Sequence, residues 1–489
     1  MKNRNLTSYL ILFAVVCFLL AGVNCSTKGD GKIPVTTSSK NAREYYLEGL
    51  DLFEKLRFQE SRQYFEKAIE EDTNFALAYL LSANVQPSVK GLFEKLDKAV
   101  ALADKVSEGE RLWILGFKAA VEGLPMKQRE YFQQMVTAYP QDERAHTLLG
   151  NNYFAQQDYT PSIEEYNKAI QINPDYSQPY NQLGYAYRFL ENYPEAEKAF
   201  KKYIELIPDD PNPYDSYAEL LMKMGRFDES IETYRKALTI NPDFTQSYLG
   251  IAANHNFKGE YEKAREQLLK LYDIAKTSGQ RRTALFSMAI SYMDEGKTEQ
   301  ALSELKKGYA FAEETNDASA MAGDHITMGN ILLESGKYNE ARAEFDKALK
   351  LVKATSLPQE VKDNAERGYL YNAARIDLLL KNFSAAKAKA EEFRAKVEAI
   401  NNPVQIRLAH ELTGMIALEE KDYDKALEEL QLTNQQNPYN LYRIALAYKG
   451  KGDQEKGKEF CIKAAEFNAI DGVNFVYGRK KARQLLDSM

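Results

Sequence analysis

The chain has 489 residues, of which 44% are hydrophobic and 28% are charged, and its formal net charge is −7. This composition supplies enough apolar surface for a large folded core and enough charge for a well-solvated exterior. An acidic chain lacks the basic stripe that phosphate binding requires, which argues against nucleic acid as a partner.

The N-terminal residues have the order of charged and apolar side chains that is expected of an export signal. Lys2 and Arg4 precede an apolar run over residues 9–23, and Cys25 follows. This order is typical of a cleaved signal, because about 15 apolar residues are too few for a membrane span. The arrangement resembles a bacterial lipoprotein signal, in which the cysteine becomes the lipidated first residue.

That resemblance implies a signal peptide over residues 1–24, a lipid on Cys25 and a place in the bacterial cell envelope. Ser26 after the cysteine favours the outer membrane, on its periplasmic face. Gly22 and Asn24 depart from the usual lipoprotein motif, so ordinary secretion and an uncleaved anchor stay open as alternatives. Cleavage removes Lys2 and Arg4, which changes the net charge from −7 to about −9.

Residues 25–41 are rich in Ser, Thr, Gly and Lys, a composition that predicts a flexible tether. With Cys17 in the signal and Cys25 lipidated, Cys461 is the lone mature thiol. A single thiol forms no internal disulfide, so we expect the fold to depend on packing.

The body of the chain is periodic. Prolines recur at a constant interval at positions 140, 174, 208 and 242, and glycine or alanine occupies positions 116, 150, 184, 218 and 252 at the same interval. Within each unit, apolar or small residues fall three, four and seven apart, twice over with a break between. This pattern predicts two amphipathic helices joined by a short turn, stacked as repeats.

One unit, residues 177–210, contains Tyr180, Leu183, Gly184, Tyr187, Ala196, Phe200, Tyr203 and Pro208. In these residues the chain resembles the tetratricopeptide repeat family, whose 34-residue unit has an aromatic, a Leu-Gly pair, a Tyr, an Ala, an aromatic, an Ala and a Pro. Tyr203 departs from the usual Ala. The resemblance implies an all-α fold, a right-handed superhelical solenoid of about 12 helix pairs.

We place unit starts near residues 42, 76, 109, 143, 177, 211, 245, 282, 322, 367, 407 and 438. Units of the regular repeat length fill 42–281, with an irregular one near 76–108, and longer units with extended second helices fill 282–471. Residues 472–489 are predicted to form a C-terminal capping helix. Arg479, Lys480, Lys481 and Arg483 are expected on its solvated side, sealing an open end.

No catalytic or cofactor site is evident. His146, His325, His410 and His255 each take a place where the unit normally has an aromatic, which favours packing. No pair of histidines has zinc-site spacing, and the glycines of residues 449–458 lack the order of a phosphate-binding loop. We therefore expect a protein that is not an enzyme and has neither cofactor nor metal.

The resemblance implies a concave groove lined by the fifth, ninth and twelfth places of each first helix, and a 4-then-3 spacing keeps such side chains on one stripe. Asparagine there can donate and accept at once, as an extended peptide requires. A packing role for Trp113 and a solvated helix face for Asn151, Asn181 and Arg188 stay open as alternatives. The candidate groove residues are Trp113, Phe117, Asn151, Asn181, Tyr185, Arg188, Asp215, Glu219 and Asn330.

An open stack offers a long groove and no enclosed pocket. These expectations favour a non-catalytic envelope scaffold that binds a peptide or protein partner in the groove. An envelope assembly or secretion lipoprotein is an alternative. A glycan-binding nutrient-uptake lipoprotein is a weaker one, because the large insertions of that class are missing.

Overall fold

The computed structural model describes residues 31–469 and 472–489, so Cys25 and the predicted signal peptide lie outside the described residues. Those described residues form 25 α-helices and no strand. The first 24 helices are twelve antiparallel pairs, named units 1 to 12 here, and one helix follows. The predicted all-α solenoid of helix pairs with a terminal helix is confirmed.

The first helices of units 1 to 12 are α1 Lys40–Glu54, α3 Ala76–Asn84, α5 Glu108–Val121, α7 Glu143–Ala155, α9 Gln178–Phe189, α11 Pro211–Lys223, α13 Thr245–Phe257, α15 Ser278–Glu295, α17 Ala318–Glu334, α19 Gln359–Leu379, α21 Pro403–Glu419 and α23 Pro438–Gly450. The second helices are α2 Phe58–Glu71, α4 Val89–Leu102, α6 Pro125–Ala138, α8 Tyr159–Ile172, α10 Tyr193–Leu206, α12 Phe227–Ile240, α14 Tyr261–Ile274, α16 Thr298–Glu314, α18 Tyr338–Lys353, α20 Phe383–Ala399, α22 Tyr423–Gln431 and α24 Gln454–Ala465. The last helix is α25, Val473–Leu486.

Close approach of the two helices explains the small residues of the repeat. In unit 5, a Cβ added to Gly184 would lie 2.5 Å from ring atoms of Phe200, so only glycine fits against that ring. Phe200 and Ala196 are fully buried beside it. The periodic small and aromatic residues are therefore the ones that pack the two helices of each unit against each other.

The second helices of units 8 to 10 are long, with 17, 16 and 17 residues, but those of units 11 and 12 have only 9 and 12, so the extended second helices predicted over 282–471 are wrong for the last two units. The first helices of units 8 to 11 have 18, 17, 21 and 17 residues. They begin four to eight residues before the predicted starts at 282, 322, 367 and 407. In unit 8 the reason is local, because a capping box of Thr277 and Gln280 starts the helix at Ser278.

The described part of the predicted tether is not free. Residues 32–39, called the strap here, lie along the junctions between units 1 to 4 and are held there by hydrogen bonds to Asp142, Glu110 and Asp72. Helix α1 then begins at Lys40. The prediction of a flexible tether is wrong for the strap, because its backbone N–H and hydroxyl groups donate hydrogen bonds to carboxylates of the solenoid.

The superhelix winds tightly enough for its successive turns to touch. Asn402 donates to the carbonyl of Gly123 at 2.9 Å, across 279 residues of sequence. Arg407 donates to the carbonyl of Gln156 at 2.5 Å, and Gln436 to that of Phe189 at 3.3 Å. The stack is thus closed by contacts between the hairpin turns of units 3 to 5 and the junctions of later units, which an open stack would lack.

Helix α25 takes part in this closure. It packs on α23 and α24 of the last unit and also on α15 and α17. Arg479 is 1% exposed and its Nη1 lies 3.9 Å from Oδ1 of Asp294 on α15. Lys481 pairs with Glu334 on α17. The expected solvated side is therefore wrong for Arg479, because an earlier turn of the solenoid covers it, whereas Arg483 is exposed.

Within the part of the chain described, no helix combines the length and apolarity needed to cross a bilayer.

Candidate functional site

The first two predicted groove residues belong to the core. Trp113 on α5 is 9% exposed and lies in the hydrophobic cluster of the first four units. Phe117, one turn further along α5, is half-buried and packs against the same cluster. The packing interpretation that the sequence left open for Trp113 is the one this arrangement matches.

Two of the predicted asparagines are held by their own fold. Asn151 accepts a hydrogen bond from the Tyr166 hydroxyl at 2.8 Å, within unit 4. Asn330 accepts from Arg375 at 2.7 Å and donates to the carbonyl of Ile326. Their amides stabilise contacts within and between units in this conformation.

The remaining five predicted residues come together on two neighbouring helices. Tyr185 and Arg188 on α9 face Glu219 on α11, where Arg188 Nη1 donates to Glu219 Oε2 at 2.9 Å. The Arg188 guanidinium also lies 5.2 Å from the centroid of the Tyr185 ring, a cation–π distance. The repeat register produces this grouping, because equivalent places on successive first helices are neighbours.

Asp215 is the electrostatic centre of this cluster. It is 4% exposed, and Oδ1 accepts a hydrogen bond from the Ser247 hydroxyl at 2.7 Å. Burial, together with the negative charge of Glu219, raises the pKa of the Asp215 carboxyl well above its usual range. Burial also raises the pKa of the neighbouring Tyr185 hydroxyl. The ionised form of a carboxyl in such a position is stabilised by any added hydrogen-bond donor or cation.

Asn181 adds a second buried acceptor on the same face of α9, one turn before Tyr185. Its side chain is 3% exposed, and no hydrogen-bond donor of the described residues reaches Oδ1. A buried carbonyl oxygen without a donor costs about 1–3 kcal/mol. The cluster defined by Asn181, Tyr185, Arg188, Asp215 and Glu219, called the groove cluster below, is thus rich in acceptors.

A cleft separate from the groove cluster lies between the turns of the superhelix. This cleft has a volume of about 1150 Å³ and is bounded by the hairpin turns of units 1 and 2 and by the junctions before units 7 to 10. Leu56 and Phe58, which are 36% and 43% exposed, contribute apolar surface to one wall. Arg57 stands on that wall, and Asp317 stands on the opposite one.

The histidines form pairs with glutamates. His146 on α7 contacts Glu165 on α8, and His325 and His410 make the same contact with glutamates 19 residues further along. His255 contacts Glu260 across its hairpin turn. In the described residues no three His, Cys, Asp or Glu side chains are grouped so that they could hold a metal ion.

The strap was missed by the sequence interpretation, which weighed only its Ser, Thr, Gly and Lys content. Ile33 N–H donates to Asp142 Oδ2 and Thr36 N–H donates to Glu110 Oε1, both at 2.8 Å. Ile33 and Val35 are partly buried against the core. The missed signal is the placing of Ile33 and Val35 two residues apart, on either side of the exposed Pro34, which is typical of an extended segment with one buried side.

Comparison with known families agrees with this architecture. A TPR repeat model matches residues 150–188, a tetratricopeptide repeat-like domain matches 245–365, and a tetratricopeptide repeat model matches 177–210, 212–244 and 438–471. A model of anaphase-promoting complex subunit 5 matches 410–449. The chain belongs to the tetratricopeptide repeat family.

Solved structures with similar chains include a tetratricopeptide repeat protein from Parabacteroides merdae ATCC 43184, with 16% identity over 56% of this chain and 94% of that one and a TM-score of 0.36. A second is the APC/C hetero-tetramer Cut9–Hcn1, with 13% identity over 93% of this chain and 81% of that one and a TM-score of 0.39. MamA protein has 22% identity over 34% of this chain and 91% of that one, with a TM-score of 0.29. No curated protein matches the chain.

Tetratricopeptide repeats imply a scaffold for protein–protein interaction, and the fold is typical of non-catalytic proteins.

Proposed function

We propose that this protein is a non-catalytic scaffold of the bacterial cell envelope, and that it binds a peptide or protein partner through the groove cluster. The observation that supports this most directly is the pair of buried acceptors, Asn181 Oδ1 and the Asp215 carboxylate. A partner that inserts backbone N–H groups or a cationic side chain would satisfy both.

The groove cluster also favours one kind of partner. Burial disfavours the ionised form of Asp215, and Arg188 is already paired with Glu219. A donor or cation brought by a partner would stabilise that ionised form, so a donor-rich or basic segment is preferred over an acidic one. Aromatic Tyr185 beside Arg188 offers a stacking surface of the kind found at binding hot spots.

Membrane attachment through a lipid on Cys25 is the second part of the proposal. The support is the resemblance of residues 1–25 to a lipoprotein signal. Because the strap is bound from Lys32 onward, the seven residue steps from Cys25 to Lys32 can span at most about 25 Å. An anchored chain would therefore hold the junction of units 3 and 4 close to the membrane, with far less freedom than a tether over the whole of residues 25–41 allows.

The partner proposal is tested by a pull-down from detergent-solubilised envelopes with the mature chain as bait. Asp215→Asn and Asn181→Leu are expected to reduce partner recovery at least about fivefold while the helical circular dichroism is unchanged. Asn339→Leu is the matched control, because Asn339 is exposed on a second helix. Equal recovery with all three variants, or recovery of glycan without protein, would contradict the proposal.

The anchor is tested by Cys25→Ser. We expect this variant to leave the membrane fraction and to appear in the soluble fraction after cell lysis. Sedimentation with membranes that is unchanged from the wild type would rule out the lipid.

A further inference from the structure

The strap occupies a surface built by the solenoid itself, and the two main acceptors on that surface have a common design. Asp142 is the N-cap of α7, where Oδ1 accepts from the backbone N–H of Ala145 at 2.8 Å. Its other oxygen, Oδ2, accepts from Ile33 N–H of the strap. One carboxylate thus caps a helix and binds an extended backbone at the same time.

Glu110 has the same double role one unit earlier. It forms a capping box with Ser107 at the start of α5. Oε1 accepts from Thr36 N–H, and Oε2 accepts from the Thr36 hydroxyl at 2.5 Å. Helix capping orients both carboxylates without any help from the strap, so the surface is preorganised.

The apolar contact between these acceptors depends on a glycine. A Cβ added to Gly109 would lie 2.9 Å from the Cγ atoms of Ile33 and 2.8 Å from the ring of Tyr139. The missing side chain therefore leaves the space in which Ile33 rests. Ile33 and Thr36 contact successive junctions because three extended residues span about 10 Å.

From these contacts we propose that the edge formed by Asp142, Glu110 and Gly109 is a binding site for an extended peptide, and that the strap is its exchangeable intramolecular occupant. The site takes a segment with apolar side chains at alternate residues, a backbone N–H at the first of them and a hydroxyl residue three positions later. A partner segment of this chemistry competes with the strap. The site is separate from the groove cluster and does not depend on the function proposed above.

Intramolecular occupancy sets the condition for exchange. A short covalent connection gives the strap an effective concentration in the millimolar range, so a free peptide displaces it poorly. A partner gains access when it also binds elsewhere on the solenoid, or when the strap is weakened. The second condition can be produced by substitution in the full chain.

The test uses the full chain with Ile33→Ser and Val35→Ser in its own strap. A fluorescent peptide with the sequence of residues 30–39 is titrated, and binding is followed by anisotropy. We expect saturable binding to this variant and at least tenfold weaker binding to the wild-type chain, whose strap is intact. A peptide carrying the same two serines should not bind.

Asp142→Asn, added to the strap variant, decides whether the peptide occupies this edge. Asparagine is as good an N-cap as aspartate, but its amide donor would replace Oδ2 and oppose Ile33 N–H. We expect at least a tenfold loss of peptide affinity. The control is Asp317→Asn, because Asp317 caps α17 in the same way and lies away from the strap.

Two results would overturn the proposal. The first is that the peptide shows no saturable binding to the folded strap variant. The second is that the peptide binds the Asp142→Asn and Asp317→Asn forms of that variant with equal affinity. A strap variant that no longer folds would show that residues 32–39 are an integral element of the fold instead of an exchangeable ligand. Amide hydrogen exchange at Ile33 and Thr36 of the wild-type chain checks this independently, because an exchangeable strap opens at a lower free energy than the core helices.

Discussion

The imidazole of His146 and the carboxylate of Glu165 are in direct contact, with 2.6 Å between Nδ1 and Oε2. The histidine is on the first helix of unit 4 and the glutamate is on the second, so the pair joins the two helices of one hairpin. Lys168 donates to the other carboxylate oxygen at 2.7 Å. Units 9 and 11 have the same His–Glu contact between their two helices, so the contact recurs along the solenoid.

The histidine pairs predict a loss of stability in acid. Burial raises the pKa of Glu165, but hydrogen bonds from His146 and Lys168 lower it more, and the net pKa lies below the usual 4.5. A carboxyl with a depressed folded pKa stabilises the fold above its unfolded pKa and loses that contribution as the pH falls through the folded value. We expect the contribution of Glu165 to be complete above about pH 4.5 and to decline below it.

Urea unfolding followed by circular dichroism from about pH 7 to about pH 3 measures this effect. Glu165→Gln should lower the urea midpoint of unfolding at neutral pH. It should also make that midpoint fall less steeply as the pH decreases below about 4.5. Glu232→Gln is the control, because Glu232 is exposed on α12. If the two variants have the same pH profile, the His146–Glu165 contact does not contribute to stability.

Gly184 of unit 5 and Gly368 of unit 10 are predicted to respond in opposite ways to substitution by alanine, because only Gly184 lies against an aromatic ring of the facing helix. Gly184→Ala should destabilise the fold by about 1–3 kcal/mol, because the new methyl group would collide with the Phe200 ring. Gly368→Ala, in the middle of α19, should stabilise it by up to about 1 kcal/mol through helix propensity, because the added Cβ would lie within 4 Å of no described atom beyond its own local backbone. Thermal melting of both variants measures the contrast, and stabilisation by both would show that the unit is packed differently.

The buried Asp215 predicts a conflict between stability and binding. Its raised folded pKa means that the protonated form is favoured in the fold, so stability is lost as the pH rises through that pKa. Asp215→Asn removes the charge, and its amide oxygen can still accept from Ser247. We expect the variant to be more stable at neutral pH by at least about 1 kcal/mol and to bind the partner less well. A lower melting temperature would show that the carboxylate is already satisfied.

The contact between α25 and α15 predicts different effects of single and double substitution. Burial lowers the pKa of Arg479 to about 10 and raises the pKa of Asp294, so both groups are held away from their charged forms. Arg479→Met alone and Asp294→Leu alone should each destabilise the fold by about 3–5 kcal/mol, because each leaves the other charge buried without its partner. The double variant should be neutral or more stable than the wild type by about 1–4 kcal/mol. Denaturant midpoints of the three variants measure the difference, and a double variant as unstable as the single ones would indicate a well-paired salt bridge instead.

The sequence predicted the helix pairs because each landmark acts within its own unit. Gly184 and Phe200 belong to the same unit, and their packing is local to one hairpin. The candidate site was harder to predict. The grouping of Arg188 with Glu219 follows from the repeat register, yet the sequence left open whether Asn181 is buried. The strap escaped prediction because its partners, Asp142 and Glu110, belong to units 4 and 3, far along the chain.

By itself, the sequence determined that the chain is a stack of tetratricopeptide hairpins, since periodic apolar residues specify helices and their immediate neighbours. Only the tertiary structure decided how tightly the stack winds. Small rotations from one unit to the next add up over a whole turn, and no local pattern encodes their sum. That sum places Asn402 beside Gly123 and buries Arg479 against Asp294, and so it decides which surfaces remain for a partner.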